Sequence, residues 1–313
     1  MSSYKSLGWL NYSPGIADGV IYLRGPDGLY AIDARDGKEK WKIKNESLAI
    51  TTPTIYNGVI YIGSFDGIYA IDAKTSKGLW YYKIGHEVSS KPAAADGTIY
   101  FGCADNRFYA VDAKTGQLKW SFETTKPIYS SPAVYDGKVY FGGTDKRLYA
   151  LDLKSGFKVW SIKTGGIVDS PVISDGIVYF GSWDHYLYAV GAKKGKRHWK
   201  FDMGSEVTSA PAVNNGVVYC SSWNGRLCAI DAKTGVLKWA FESKSPVGYD
   251  SSPAVTTGTV YFGSDRFYAL DAQTGRRKWE FKVAEAKDGG ISSPVVSGNS
   301  IYFIGGSLYS LRK

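Results

Sequence analysis

An all-β fold, an eight-bladed β-propeller of four-stranded antiparallel blades, is predicted by three features of the sequence. Seven tryptophans, Trp41, Trp80, Trp120, Trp160, Trp199, Trp239 and Trp279, recur at spacings of 39 or 40 residues. Eight of the 11 prolines keep step with them: Pro14, Pro53, Pro92, Pro132, Pro171, Pro211, Pro253 and Pro294. Aromatic residues reach 15% with 37 Gly and only two Met, a composition suited to short strands and tight turns. A repeat of about 40 residues holding four strands is a propeller blade. Helical hairpin repeats are excluded because no unit carries an extended 3.6-residue apolar period.

Each strand has its own signal, best seen in the fourth unit. Strand A follows Ser-Pro as Pro132-Ala133-Val134-Tyr135. A turn at Asp136-Gly137 leads to strand B, Val139-Tyr140-Phe141-Gly142, and a polar turn at Asp145-Lys146 leads to strand C, Leu148-Tyr149-Ala150-Leu151-Asp152. Lys154-Ser155-Gly156 then turns the chain into strand D, Val159-Trp160-Ser161-Ile162. Runs of β-branched and aromatic residues bounded by Gly-containing turns are what an antiparallel meander requires.

Strands A to C occur eight times, but a Trp-bearing strand D follows only the first seven. The chain ends in a third strand, Leu308-Tyr309-Ser310-Leu311-Arg312-Lys313, so residues 1–12 are expected to supply the missing fourth and close the ring. Ser2 falls there in the register of the absent Trp. The chain is therefore read as one domain, 1–313, with blades at 13–51, 52–90, 91–130, 131–169, 170–209, 210–251, 252–292 and 293–313.

The repeated residues have structural work to do. Each Trp can bury about 200 Å² between blades, and the Ala ahead of each turn Asp leaves room for it. Asp33, Asp72, Asp112, Asp152, Asp231 and Asp271 stand where a carboxylate can accept turn N–H groups. The Gly of Thr-Gly permits a positive φ. Blade 5 departs, with Gly191 in place of the Asp, and a locally weaker turn, not a site, is expected there.

The stretch Tyr-Ala-Ile-Asp-Ala-x-Thr-Gly-x-x-x-Trp, at Tyr109 to Trp120 and again at Cys228 to Trp239, resembles the tryptophan-docking repeat of the pyrroloquinoline-quinone (PQQ) propeller family. The resemblance covers essentially the whole chain. The architecture is similar to the propeller lipoprotein subunit of the bacterial outer-membrane β-barrel assembly machine, although no lipid-attachment Cys stands near the N-terminus. The family implies a propeller fold and an exported, periplasmic or extracellular setting. Met1-Ser2-Ser3-Tyr4-Lys5 has no apolar h-region of its own, and a cytoplasmic location is the alternative.

No catalytic set emerges. Quinoprotein dehydrogenases of this family use a metal-bound quinone, an Asp base and often adjacent cysteines, yet Cys103, Cys220 and Cys228 are well separated. His86, His185 and His198 lack metal-ligand spacing, and no nucleophile elbow, P-loop or dinucleotide fingerprint occurs. Asp27, Asp66, Asp105, Asp145, Asp184 and Asp265 recur in the B–C turns and could suggest a calcium ring. Ordinary hairpin turns account for them. No cofactor and no metal is assigned.

Recognition is expected where blades differ. The B–C and D–A connections should share one end of each blade. Trp183 and Trp223 occupy equivalent B–C positions in neighbouring blades where others carry Phe65, Ala104 or Thr144, and they suggest an aromatic contact patch. The D–A connections before Pro253 and Pro294 are longer, carrying Pro246, Tyr249 and Asp250, then Glu285, Lys287, Asp288, Gly289 and Gly290. Hydroxyls such as Ser90, Ser130 and Ser209 line the channel end, interrupted by Lys91, Tyr129 and Asp169. They can bond backbone groups or hold a small polar ligand. The expected binding face is thus Trp183, Trp223, Tyr129, Tyr249, Asp250, Lys91 and Asp169.

The net charge is +9, and most Lys and Arg lie around the C–D turns, including Lys193, Lys194, Lys196, Arg197, Arg276, Arg277 and Lys278. Such a face reads as a solubilising surface. Without interleaved aromatics, nucleic acid is not an expected partner, and membrane association is expected only indirectly. Cys220 and Cys228 replace the Phe of strand B and the Tyr of strand C in one blade. Two thiols filling the space of two rings are expected, with a cross-strand disulfide as the alternative. These readings converge on a monomeric, non-catalytic scaffold binding other proteins or a small polar ligand. A PQQ-dependent oxidoreductase and a ligand-sensing domain of a larger receptor or kinase are the alternatives.

Overall fold

A computed structural model describes residues 2–4, 12–25, 27–45, 47–48, 51–244, 251–283 and 290–312. Its eight four-stranded antiparallel sheets are arranged as a β-propeller. Two compact units make up the chain, Pro14–Ser161 and Met1–Ser13 with Ile162–Lys313. Among the described residues no helix is long and apolar enough to cross a membrane.

Seven sheets run in chain order A-B-C-D, and the eighth takes its outer strand from the N-terminus. Ser2–Tyr4 pairs antiparallel with Leu308–Arg312, placing Ser2 opposite Ser310. The same register elsewhere places Trp199 opposite Ala189 and Trp239 opposite Ala229, so Ser2 does stand where a docking Trp would. A bulge follows the alanine in each of these pairs, between Ala189 and Val190 and between Ala229 and Ile230. It increases the local twist as strand D leaves the sheet.

The burial pattern follows from strand position. Strands B and C are buried nearly throughout, as in Ile177–Gly181 and Tyr186–Gly191. Strand D is the outer edge, and in blade 1 its exposed positions all carry charge, over Glu39–Lys44 (Glu39, Lys40, Lys42 and Lys44). Charged side chains on an edge strand discourage pairing with another chain. Part of the +9 charge therefore protects the blades from one another's copies.

Five of the repeat tryptophans clamp the next blade. Indole N–H groups of Trp41, Trp80, Trp120, Trp199 and Trp239 donate to the carbonyls of Ala73, Ala113, Leu153, Ala232 and Ala272 at 3.1, 2.9, 3.3, 3.0 and 3.0 Å. Strand-B tyrosines reach the same carbonyls, Tyr61 to Ala113 at 3.0 Å and Tyr179 to Ala232 at 3.2 Å. The Gly of the receiving turn lies against the indole. A Cβ on Gly116, Gly156, Gly235 or Gly275 would fall 2.7, 2.5, 2.7 or 2.6 Å from the Trp ring. These glycines are needed for that close approach as well as for their positive φ of about 70°.

The turn carboxylates act as expected. In five blades Asp Oδ1 accepts two successive turn N–H groups, for example Lys114 at 3.0 Å and Thr115 at 3.0 Å on Asp112. Asp72, Asp152, Asp231 and Asp271 repeat the arrangement. The Thr75 hydroxyl and the turn N–H groups hold Asp72 below the ordinary carboxylate range. Turn N–H groups are the largest influence on Asp112, Asp152, Asp231 and Asp271, all likewise lowered. A folded-state pKa below the unfolded one gives stability that is present above about pH 4 and lost as the pH falls through the folded value. Urea midpoints should therefore change little between about pH 7 and 5 and fall below about pH 4. A flat profile down to pH 3 would contradict this role.

Candidate functional site

Hydrogen bonds define the two ends of each blade. At one end the C–D turn is tied to the A–B turn, by Ala113 N–H to Gly97 O at 3.0 Å and Ala232 N–H to Gly216 O at 2.9 Å. At the other, the B–C turn is tied to the D–A connection that enters the same blade. Ala104 N–H donates to Glu87 O at 2.9 Å, Trp183 N–H to Ile167 O at 2.9 Å and Trp223 N–H to Glu206 O at 2.8 Å. The predicted recognition residues that the structure describes lie at this second end.

In the unit Met1–Ser13 with Ile162–Lys313, Trp183 is 40% exposed, whereas Trp223 is half-buried. Two open tryptophans side by side is thus too simple a reading, because Trp223 is partly covered by its surroundings. The Trp183 turn is firmly seated. Gly165 N–H donates to Asp184 Oδ2 at 2.7 Å, and a Cβ on Gly166 would come within 2.3 Å of Asp184 N and 2.5 Å of the Trp183 carbonyl carbon. The Gly165-Gly166 pair is the sequence signal for this close approach. Asp169 takes the position held by buried hydroxyls in other blades. Its carboxylate accepts from Ser170 N–H at 2.6 Å, and its own N–H donates to Gly181 O at 3.0 Å. Tyr249 and Asp250 lie outside the described residues, as do Pro246, Glu285, Lys287, Asp288 and Gly289.

In the unit Pro14–Ser161, Phe65 and Tyr129 are the exposed aromatics at this end, at 54% and 48%. Phe65 occupies the same B–C position as Trp183. Sequence reasoning took it only as a comparison residue, although an aromatic at that position was signal enough. Lys91 reaches solvent yet is ringed by protein, and desolvation lowers the pKa of its ammonium.

The hydroxyls serve the fold. Ser90 Oγ accepts from Gly102 N–H at 2.8 Å and Ser130 Oγ from Gly142 N–H at 2.7 Å. The next position stitches blade to blade, with Lys91 N–H donating to Ser131 Oγ at 3.1 Å and Ala210 N–H to Ser252 Oγ at 2.9 Å. These four hydroxyls are directed at backbone, as buried polar groups require, whereas the buried Ser89 and Ser251 hydroxyls have no hydrogen-bond partner among the described residues.

A family model described as outer membrane protein assembly factor BamB matches residues 4–67, 57–166 and 161–311. The chain belongs to that family. BamB from Moraxella catarrhalis has a similar structure, with a TM-score of 0.85 at 18% identity over 100% of this chain and 99% of that one. The computationally designed protein Ika8 has a TM-score of 0.85 at 15% identity, covering 98% of each chain. The quinohemoprotein alcohol dehydrogenase ADHIIG from Pseudomonas putida reaches 0.77 at 18% identity, over 96% of this chain and 70% of that one. Identities this low carry the fold alone. No curated protein matches the sequence.

The described residues of the BamB-family chain do not bring together the donors that a metal-bound quinone would need. Among the described residues no three His, Cys, Asp or Glu side chains come together. The B–C carboxylates are committed to hairpin tyrosines. Tyr109 donates to Asp105 and Tyr149 to Asp145, while Tyr188 reaches Asp184 and Tyr268 reaches Asp265, each at 2.8 Å. No vicinal cysteines are present, so we derive no chemistry through a quinone.

Cys220 and Cys228 are direct cross-strand partners with free, buried thiols. Their positions hold stacked rings in other blades, as in Phe141–Tyr149 with centroids 5.2 Å apart and Phe180–Tyr188 at 5.1 Å. Burial pushes the Cys228 thiol up to about 11 and raises Cys220 further. Buried thiols shifted this way are poor nucleophiles at neutral pH.

Proposed function

We propose that this BamB-family chain is a non-catalytic binding scaffold that recognises other proteins through the B–C and D–A end of its blades. The carrying observation is Trp183, a large aromatic 40% exposed on a turn fixed by hydrogen bonds to the connection beside it. An aromatic held in place loses little conformational freedom on binding, which favours an anchoring role. The scarcity of convergent titratable groups among the described residues supports binding over catalysis. The family is described as an outer membrane protein assembly factor, and we extend to this chain a periplasmic or cell-surface setting with protein partners.

The test is cross-linked capture from a periplasmic extract, with captured proteins identified by mass spectrometry. Trp183→Ala combined with Trp223→Ala should reduce capture of a defined partner by about tenfold or more while thermal stability changes little. Undiminished recovery of every species would remove this end of the blades from the reading.

A further inference from the structure

The C–D turn of blade 5 differs from its equivalents in one chemical respect. Gly191 replaces the aspartate, yet the backbone of the turn is unchanged. Gly191 N–H donates to Lys196 O at 2.8 Å and Gly195 N–H to Gly191 O at 2.8 Å. The matching bonds of Asp112 and Gly116 in blade 3 are also 2.8 Å, and Gly195 has φ of 67° against 73° for Gly116. The turn keeps its shape without its carboxylate.

Two consequences follow. The N–H groups of Lys193 and Lys194, equivalents of those that aspartate accepts in five other blades, have no acceptor among the described residues. Around them stand Lys193, Lys194, Lys196 and Arg197, all exposed and none in an ion pair among the described residues. Elsewhere a strand-D lysine neutralises the aspartate, as in Lys119–Asp112 at 3.2 Å and Lys238–Asp231 at 3.4 Å. In blade 5 that lysine is His198, whose Nε2 lies 3.2 Å from where a Cβ on Gly191 would be. Aspartate and lysine are lost together, and a Cβ placed on Gly191 would also lie 3.8 Å from the Lys196 carbonyl oxygen. The carboxylate on the adjoining A–B turn, Asp175, accepts from the Ser174 hydroxyl at 2.9 Å.

We propose that the C–D turn of blade 5 is an oxyanion site that takes a phosphate group in the place of the missing aspartate carboxylate. The Lys193 and Lys194 N–H groups donate to one phosphate oxygen as they would to Asp Oδ1, a concave pair of donors of the kind that binds anions. Lys196, Arg197 and the two lysine side chains supply charge-assisted bonds to the remaining oxygens. The chemistry is shared by free phosphate and the phosphodiester of a lipid headgroup. It is independent of the protein-binding reading, which concerns the other end of the blades.

The test is amide NMR of the whole chain, titrated with inorganic phosphate against chloride at constant ionic strength. The Lys193 and Lys194 amides should shift and saturate with a midpoint on the order of a few millimolar, weak because the site is exposed to water and screened by salt. Gly191→Asp should abolish the saturable shift by occupying the place itself. Gly191→Asn should do the same through its amide oxygen without adding charge, separating the turn donors from the general positive field. Arg197→Ala should weaken binding by about threefold or more. Linear, unsaturable shifts in the wild type would overturn the proposal, as would saturation unchanged in both Gly191 variants.

Vesicles of phosphatidylcholine with and without phosphatidylglycerol identify the source of the phosphate. Sedimentation with the anionic vesicles that Gly191→Asn reduces severalfold assigns a lipid headgroup. Equal sedimentation of both proteins, with phosphate saturation intact, assigns a free phosphate compound.

Discussion

Trp199→Ala is expected to destabilise the protein by about 3 kcal/mol, near the lower end for removing a buried Trp because this ring keeps some exposure. Three losses combine. The indole N–H bond to Ala232 O at 3.0 Å disappears, the tilted packing on Tyr179 at 5.8 Å is lost, and a void opens against Gly235. Ala232 O retains the Tyr179 hydroxyl at 3.2 Å, so the carbonyl is not orphaned and the cost stays below the upper limit. Trp199→Phe should recover most of the apolar burial and leave a deficit of about 1 kcal/mol for the bond.

A double-mutant cycle separates packing from backbone strain at the same contact. Gly235 has φ of 73°, and its added Cβ would lie 2.7 Å from the Trp199 ring. Gly235→Ala should therefore be destabilising in the wild type and distinctly less so beside Trp199→Ala, where only the strain remains. Equal costs in both backgrounds would show that ring and turn do not press on one another. A denaturation midpoint unmoved by Trp199→Ala would reject the clamp itself.

Periodic features were legible in the sequence because repetition exposes what every blade needs. Strand order, eight blades and the place of Ser2 all follow from spacing, since a strand's register fixes which residue faces which. The turn glycines show where such reading stops. Their positive φ is a local property, but the indole lying against them comes from a strand about 35 residues earlier in the chain. Trp223 makes the same point at the loop end. Its residue type and position match Trp183, yet coverage by surrounding chain makes one half-buried and leaves the other open. Departures from the repeat were visible as departures, such as Gly191 and the Cys220–Cys228 pair. Their consequences needed coordinates, because they depend on which donors or rings the substitution leaves facing the gap.

Removing residues 1–4 should convert the protein into an aggregating species with a melting temperature lower by several degrees. The three residues Ser2–Tyr4 cover the last strand through the pairs Ser2–Ser310, Ser3–Tyr309 and Tyr4–Leu308. Leu308, Tyr309 and Leu311 are buried in the intact protein, and Tyr309 has strong strand preference. Without its cover this strand becomes a bare apolar edge, unlike the charged outer strands of the other blades, and it can pair with a second copy. A loss of about 2 kcal/mol would lower the melting temperature of a 313-residue chain by roughly 3 °C. Light scattering coupled to size exclusion reads the association, and Ser310→Lys in the truncated chain should suppress it by placing a charge at the half-buried position that faces Ser2 across the lost pairing. A truncated protein that stayed monomeric and melted at the wild-type temperature would mean that the N-terminal strand contributes nothing to closing the last blade.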